Sequence, residues 1–87
     1  MYFVYILYSL KDRKLYVGQA NNLKIRLFKH NNGQIKSTKW RRPLVLIYNE
    51  SFKTRGEAMK REKYLKSLYS AKFKQKILKE YLQRRAL

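Results

Sequence analysis

The segment 2–19, YFVYILYSLKDRKLYVGQ, decides the fold of this 87-residue chain. Residues 2–8 are almost continuously apolar and rich in β-branched and aromatic side chains, which is typical of a strand covered on both faces. Residues 14–18 form a second apolar run, and the short polar connection between the two runs predicts an antiparallel hairpin. A buried tyrosine hydroxyl needs a hydrogen-bond partner, yet this hairpin carries Tyr2, Tyr5, Tyr8 and Tyr16.

The segment after the hairpin predicts a helix, a loop and a third strand. The asparagine pair 21–22 offers an N-cap for a helix from residue 23 to about residue 31. Residues 34–42 read as a basic loop with the single tryptophan of the chain. The strand 43–50 begins with proline, which is tolerated at the first position of a strand.

Two further helices complete the expected order of elements. Thr54 and Glu57 form a capping-box pattern, which predicts a helix running to about Leu68. Ser70 is placed to cap a last helix over residues 71–84. We therefore expect one α+β domain over residues 1–87, in which helices flank a small three-stranded antiparallel sheet in the order β-β-α-β-α-α.

Charge is the strongest compositional signal. The chain carries 22 Lys and Arg against 5 Asp and Glu, a formal net charge of +17. Self-repulsion on this scale favours an anionic partner, and nucleic acid is the commonest one. The absence of cysteine excludes disulfides and thiolate metal sites. The apolar runs are too short to span a bilayer and the first residues lack the basic turn of a signal peptide, so we expect a cytoplasmic protein without a membrane partner.

Polar side chains fall on helix faces that should pack against the sheet. In the helix from residue 54, Glu62 lies on the stripe formed by Ala58, Leu65 and Tyr69. A carboxylate that is partly buried there needs a cation or a basic partner, and either an ion pair or a metal site would satisfy it.

The first helix also carries polar side chains, an arginine and a histidine, on or beside the face that should pack against the sheet. Arg26 and His30 are one turn apart, and His30 shares a face with Leu23 and Leu27. A lone histidine of this kind is more often structural than catalytic.

Alternation along the two strands of the hairpin places two tyrosines on a common face. Tyr16 faces away from its apolar neighbours Leu15 and Val17, on the side where Tyr5 lies. Each tyrosine taken singly also fits an ordinary core position, and Tyr8 and Tyr48 are interpreted in that way.

Together, these segments resemble the GIY-YIG endonucleases, especially their short, single-domain bacterial and archaeal members. The resemblance covers roughly residues 2–72, in the order of that family. Phe3-Val4 stands where the first motif has Gly-Ile, and Val17 stands where the second has Ile. The segments that carry the resemblance are FVYIL at 3–7, LYVGQ at 15–19, NNLKIRLFKHNNG at 21–33 and TRGEAMKREKYLK at 54–66.

The resemblance implies a role for each matching residue. Tyr5 would be the general base, Arg26 would stabilise the phosphate charge of the transition state, and Glu62 would hold one divalent cation. Tyr16 and His30 would position the water, the base or the phosphate through hydrogen bonds. Gly18 would let the backbone approach closely at the end of its strand and is a candidate nucleic-acid contact.

A single carboxylate suits Mg²⁺ or Mn²⁺, since Mg²⁺ keeps several waters and also binds substrate phosphate. The other acidic residues do not obviously converge with Glu62, so we expect one ion rather than two. Zinc is disfavoured because the chain offers one histidine and no cysteine. We expect no organic cofactor.

A cluster in the basic loop supplies candidate DNA contacts: Lys39, Trp40, Arg41 and Arg42. Lys and Arg grip phosphates, whereas Trp stacks on an unpaired base. An equally supported alternative is a solvated loop with Trp40 packed onto the core.

Two classes of function remain open at this point. The first is a metal-dependent endonuclease that hydrolyses DNA phosphodiester bonds and selects branched or single-stranded structure rather than sequence, acting as a monomer or weak homodimer. The second is a non-catalytic nucleic-acid-binding module or a ribosome-associated basic protein. Pure binding gives no reason for an acidic Glu62 facing a polyanion, which favours the nuclease.

Overall fold

The architecture was determined from a computed structural model, which describes residues 1–86. The chain forms a three-stranded antiparallel sheet in the spatial order β2-β1-β3, with helices on both faces. This confirms the predicted fold class and order of elements. The elements are β1 (Tyr2–Ser9), β2 (Leu15–Ala20), α1 (Leu23–Asn31), β3 (Leu44–Phe52), α2 (Arg55–Leu65) and α3 (Ala71–Ala86), with short 3₁₀ turns at Lys39–Arg41 and Leu68–Ser70.

Strand β1 occupies the centre of the sheet and is buried on both faces. Its side chains alternate between two apolar layers, because successive residues of a strand point to opposite sides. Tyr5 and Leu7 pack on the face covered by α1, together with Tyr16. The opposite face carries Val4, Ile6, Tyr8 and Val17 and packs against Ala58, Leu65, Phe73, Ile77 and Tyr81 of α2 and α3.

The predicted caps start two of the helices. The Asn22 side chain accepts a hydrogen bond from the Ile25 amide at 3.1 Å, and the Thr54 hydroxyl accepts one from the Glu57 amide at 3.2 Å. These bonds satisfy amides that have no partner within their own helix. The caps therefore fix where α1 and α2 begin, and thereby set the positions of Arg26, His30 and Glu62.

The end of α2 differs from the sequence prediction. The helix stops at Leu65 rather than Leu68, and Tyr69, predicted on its inner stripe, is 90% exposed. The reason is local: the buried Ser70 hydroxyl donates to the Leu65 carbonyl at 3.0 Å and closes the end of α2. Ser70 was predicted to cap α3, whereas its hydroxyl is engaged with the preceding helix.

Among residues 1–86, no helix combines the length and the apolar character needed to cross a bilayer.

Candidate active site

Tyr5 and His30 form the centre of a polar cluster on the α1 face of the sheet. The Tyr5 hydroxyl lies 2.8 Å from Nε2 of His30, and both residues are almost wholly buried. The Tyr16 ring lies edge-on to the imidazole at 5.1 Å and is 6.5 Å from the Tyr5 ring, measured between centroids. The structure thus brings together two tyrosines from the hairpin and the histidine of α1, as the alternation of the strands indicates.

Gly18 makes room for Tyr5. The two residues are paired across β1 and β2, and a Cβ atom at position 18 would overlap the Tyr5 phenol. Gly18 is itself buried. The close approach expected at this glycine is made by the Tyr5 ring of the neighbouring strand, and its role as a nucleic-acid contact stays a prediction.

His30 is neutral in this environment. Burial and, to a smaller extent, the nearby positive charge of Arg26 together lower its pKa to about 4. The second ring nitrogen, Nδ1, lies 2.7 Å from the hydroxyl of Thr38, which is also fully buried. A neutral imidazole with one partner on each nitrogen is held in a single orientation. Thr38 was not anticipated, because the sequence of a basic loop gives no sign that one of its hydroxyls turns inward.

The pKa of Tyr5 results from opposing effects. This pKa is raised to about 12, chiefly by burial and also by electrostatic repulsion from Tyr16, when ionised, and from Glu62. The nearby guanidinium of Arg26 acts in the opposite direction and lowers the pKa. These effects place Tyr5 within electrostatic reach of Arg26 and Glu62, although the two residues lie on different helices.

Arg26 has unused hydrogen-bonding capacity at this site. Its Nε atom is buried and has no hydrogen-bond partner within the described residues. A buried donor without a partner is unfavourable, and it is often explained by a missing ligand. Arg26 lines a groove between the end of β2 and the first turn of α1, together with Gln19, Asn22 and Lys29. The groove and the free donor suit a phosphate oxygen.

Glu62 lies at the edge of a second groove, with Met59, Lys66 and Ser67. Its side chain is 22% exposed and forms an ion pair with Lys66 at 2.9 Å, whose own side chain is 54% exposed. Ion pairs of this type between neighbouring turns of a helix stabilise by only about 0.3–0.5 kcal/mol. A divalent cation can therefore displace Lys66 at small cost, so both alternatives raised by the sequence are compatible with the geometry.

Other acidic side chains are engaged elsewhere. Asp12 is paired with Arg41 at 2.6 Å, Glu50 with Arg61 at 2.7 Å, and Glu57 accepts from the Thr54 hydroxyl at 2.9 Å. Within the described part of the chain, His, Asp and Glu side chains form no group of three or more that could hold a metal. The donor set therefore fits an ion that takes one protein carboxylate and completes its shell with water and phosphate, as Mg²⁺ does.

The basic loop presents its four predicted residues in different ways. Trp40 is 72% exposed, so it does not pack onto the core, and the Lys39 amine lies 5.1 Å from its ring centroid. Arg42 lines a shallow groove with Trp40 and donates from Nε to the Lys39 carbonyl. Arg41 instead binds Asp12 and the Leu15 carbonyl, and so ties the loop to the hairpin.

The chain is similar to known proteins of one family. A model of the GIY-YIG catalytic domain matches residues 1–76. A UPF0213 protein of Staphylococcus saprophyticus is 45% identical over 80 residues, covering 91% of this chain and 95% of that protein. A UPF0213 protein of Staphylococcus epidermidis is 44% identical with the same coverage. The solution NMR structure of a UPF0213 protein from Bacillus halodurans is similar with a TM-score of 0.54 and 34% identity, covering 88% of this chain and 83% of that one. The matched residues include the whole polar cluster.

Proposed function

Because the chain belongs to the GIY-YIG family of nuclease domains, we propose that it is a divalent-metal-dependent endonuclease that hydrolyses DNA phosphodiester bonds. One observation carries the proposal: a buried tyrosine, bonded to a neutral histidine at 2.8 Å, lies within electrostatic reach of both an arginine and a half-buried carboxylate. This combination provides a base, a donor for phosphate and a ligand for a cation, close enough for their charges to interact.

Tyr5 is the proposed general base, which takes the proton of the attacking water. A phenol with a pKa of about 12 is protonated at neutral pH, so its ionised form needs support from neighbouring positive charge. Arg26 supplies part of that support, since it already lowers the pKa of Tyr5. His30 holds the phenol oxygen in place through its short hydrogen bond.

Arg26 is the proposed partner of the scissile phosphate. Its Nε has no protein partner and its side chain lines an open groove, so the guanidinium can donate to phosphate oxygens without breaking an existing bond at that atom. Donors that are already aimed at the position where charge develops stabilise the transition state most effectively.

Glu62 is the proposed ligand of one Mg²⁺ or Mn²⁺ ion. When bound, this ion would polarise the phosphate and offset the negative charge that raises the pKa of Tyr5. Lys66, released from its ion pair, would remain nearby as a contact for the DNA backbone.

The preferred substrate is DNA with unpaired bases, such as single strands or branched structures. Trp40 is exposed on a basic loop beside Lys39 and Arg42, and an exposed indole can stack on an unpaired base. Arg41 stabilises the loop and is not used to contact DNA, because its guanidinium is bound to Asp12.

The direct test is incubation with a panel of single-stranded, flapped, branched and fully paired DNAs, with Mg²⁺, with Mn²⁺ and with a chelator. We expect cleavage that needs the metal and is fastest on DNA with unpaired bases. Tight binding of the whole panel without cleavage under any condition would support the alternative, a nucleic-acid-binding module.

A further inference from the structure

We propose that Thr38 is a positioning residue, whose hydroxyl donates to Nδ1 of His30 and so leaves Nε2–H to donate to the Tyr5 oxygen. The inference rests on the proposed function, but the hydrogen-bonding pattern it assigns can be measured without any assay of activity.

The imidazole of His30 lies between two hydroxyl groups. Thr38 Oγ1 is 2.7 Å from Nδ1, and the Tyr5 hydroxyl is 2.8 Å from Nε2. Thr38 and His30 have no exposed surface. The backbone of Thr38 is held on both sides, since its amide donates to the Ile35 carbonyl at 3.1 Å and its carbonyl accepts from the Arg41 amide at 2.9 Å. The Thr38 hydroxyl is therefore presented to His30 from a fixed position.

Two hydrogen-bonding patterns fit these distances, because a neutral imidazole has one donor and one acceptor. In the first, Thr38 donates to Nδ1, and Nε2–H donates to Tyr5. In the second, Nδ1–H donates to Thr38, and Tyr5 donates to Nε2. Within residues 1–86, each of the two hydroxyls has the imidazole as its one geometrically defined hydrogen-bond partner, so each pattern leaves one hydroxyl hydrogen unpaired.

The position of the unpaired hydrogen distinguishes the two patterns. The second pattern leaves it on Thr38, in a fully enclosed position, where an unpaired donor is costly. The first leaves it on Tyr5, the residue that gives up its hydrogen as the proposed base. Once Tyr5 has lost that hydrogen, the first pattern pairs every remaining hydrogen of the three side chains, and the phenolate oxygen accepts from Nε2–H near the positive charge of Arg26.

The two patterns also give Tyr5 opposite properties. A donor at Nε2 stabilises the phenolate and supports Tyr5 as a base, whereas an acceptor at Nε2 stabilises the neutral phenol. Thr38 thus acts on the reaction through His30, without contact with the substrate.

The test uses the fact that the chain has a single histidine. A long-range proton–nitrogen correlation spectrum of the metal-free, ¹⁵N-labelled protein at neutral pH identifies which nitrogen of His30 carries the hydrogen. We expect protonated Nε2 and unprotonated Nδ1 in the wild type. Protonated Nδ1 would overturn the proposal, whatever any variant does.

Two substitutions check that Thr38 is the donor. Thr38→Val keeps the shape and removes the hydroxyl, whereas Thr38→Ser keeps the hydroxyl. We expect the Nδ1 resonance to move downfield in Thr38→Val, because an acceptor nitrogen loses its hydrogen bond, and to stay near the wild-type position in Thr38→Ser. An unchanged Nδ1 resonance in a folded Thr38→Val protein would contradict the proposal. Should that variant not fold, the wild-type spectrum still decides.

Cleavage assays separate this inference from the proposed function. We expect Thr38→Val to lower the turnover number on the order of 10-fold or more, with little change in KM, and Thr38→Ser to restore it. The predicted tautomer in a protein that cleaves no DNA would refute the proposed function alone. The opposite tautomer in an active nuclease would refute the role of Thr38 alone.

Discussion

Gly18 lies directly opposite Tyr5 on the neighbouring strand, and the Tyr5 phenol fills the space that a Cβ atom of residue 18 would need. The position of the proposed base therefore depends on the absence of a side chain on β2. The GIY-YIG pattern has a glycine at this point, and the structure gives the physical reason in this chain.

Gly18→Ala should destabilise the fold, because the added methyl group collides with a buried ring. We expect the free energy of unfolding in urea to fall by about 1–3 kcal/mol, the usual range for overpacking a core. Gly56→Ala is the matched control. No atom lies within 4 Å of a Cβ at position 56, which is in the first turn of α2, so we expect that variant to gain about 0.4–1 kcal/mol. Equal effects of the two substitutions would be inconsistent with this packing.

His30 should remain neutral well below the usual pKa of a histidine. Burial and the charge of Arg26 lower its pKa to about 4 in the folded protein, against about 6.5 in the unfolded chain. The unfolded state therefore binds more protons between these values, and the free energy of unfolding should fall as the pH falls from about 6.5 towards 4, by at most ~1.4 kcal/mol per pH unit from this group.

An NMR titration of the single histidine checks this directly, together with urea denaturation of the wild type and His30→Gln at pH 5 and pH 7. The part of the pH dependence that comes from His30 should disappear in the variant. A histidine that titrates near pH 6.5 in the folded protein would show that it is not enclosed as described.

Arg26→Gln and Lys24→Gln remove the same charge from the same helix. Lys24 is exposed and does not line the Arg26 groove. We expect both variants to bind DNA slightly less well, with a similar loss of salt dependence, because each removes one positive charge. Only Arg26→Gln should lose cleavage, on the order of 10²-fold, since it removes the proposed donor to the scissile phosphate. Similar cleavage rates for the two variants would remove Arg26 from the site.

Tryptophan fluorescence reports on Trp40 alone, because it is the single tryptophan of the chain, and this residue is 72% exposed. Its fluorescence should be quenched more strongly by single-stranded than by fully paired DNA at equal saturation, since stacking needs an unpaired base. Trp40→Ala should weaken single-strand binding by about 1–3 kcal/mol and leave duplex binding nearly unchanged. Equal quenching by both DNAs would argue against a stacking role.

The sequence predicts those parts of the fold that local rules control. Asn22 and Thr54 cap their helices because short polar side chains satisfy nearby amides, and this can be inferred from a few neighbouring residues. Tyr5 and Tyr16 share a face because strands alternate, which requires knowledge of the strand alone. The stripe of α2 that carries Ala58 and Leu65 is also predicted correctly, because the spacing of buried residues along a helix requires knowledge of the helix alone.

Other features could not be predicted from the spacing of apolar residues. Tyr69 is exposed because the nearby Ser70 hydroxyl bonds to the Leu65 carbonyl and ends α2 early, a local bond that helical spacing does not reveal. Arg41 pairs with Asp12, which is 29 residues away in the sequence, so a basic loop residue becomes part of the scaffold. Thr38 reaches His30 only after the loop has folded back over α1. The contacts of Arg41 and Thr38 form through tertiary packing, which the local pattern does not encode.

Glu62 is the residue proposed to serve catalysis and not binding, and comparison of Glu62→Gln with Glu80→Gln is the sharpest test of that role. Glu80 is an exposed carboxylate on α3, so its substitution controls for the change in charge. Both variants and the wild type are purified identically, and their cleavage rate and DNA affinity are measured with Mg²⁺ on a branched DNA. We expect Glu62→Gln to bind at least as tightly as the wild type and not to cleave, and Glu80→Gln to cleave normally. Cleavage by Glu62→Gln at the wild-type rate would show that Glu62 has no catalytic role.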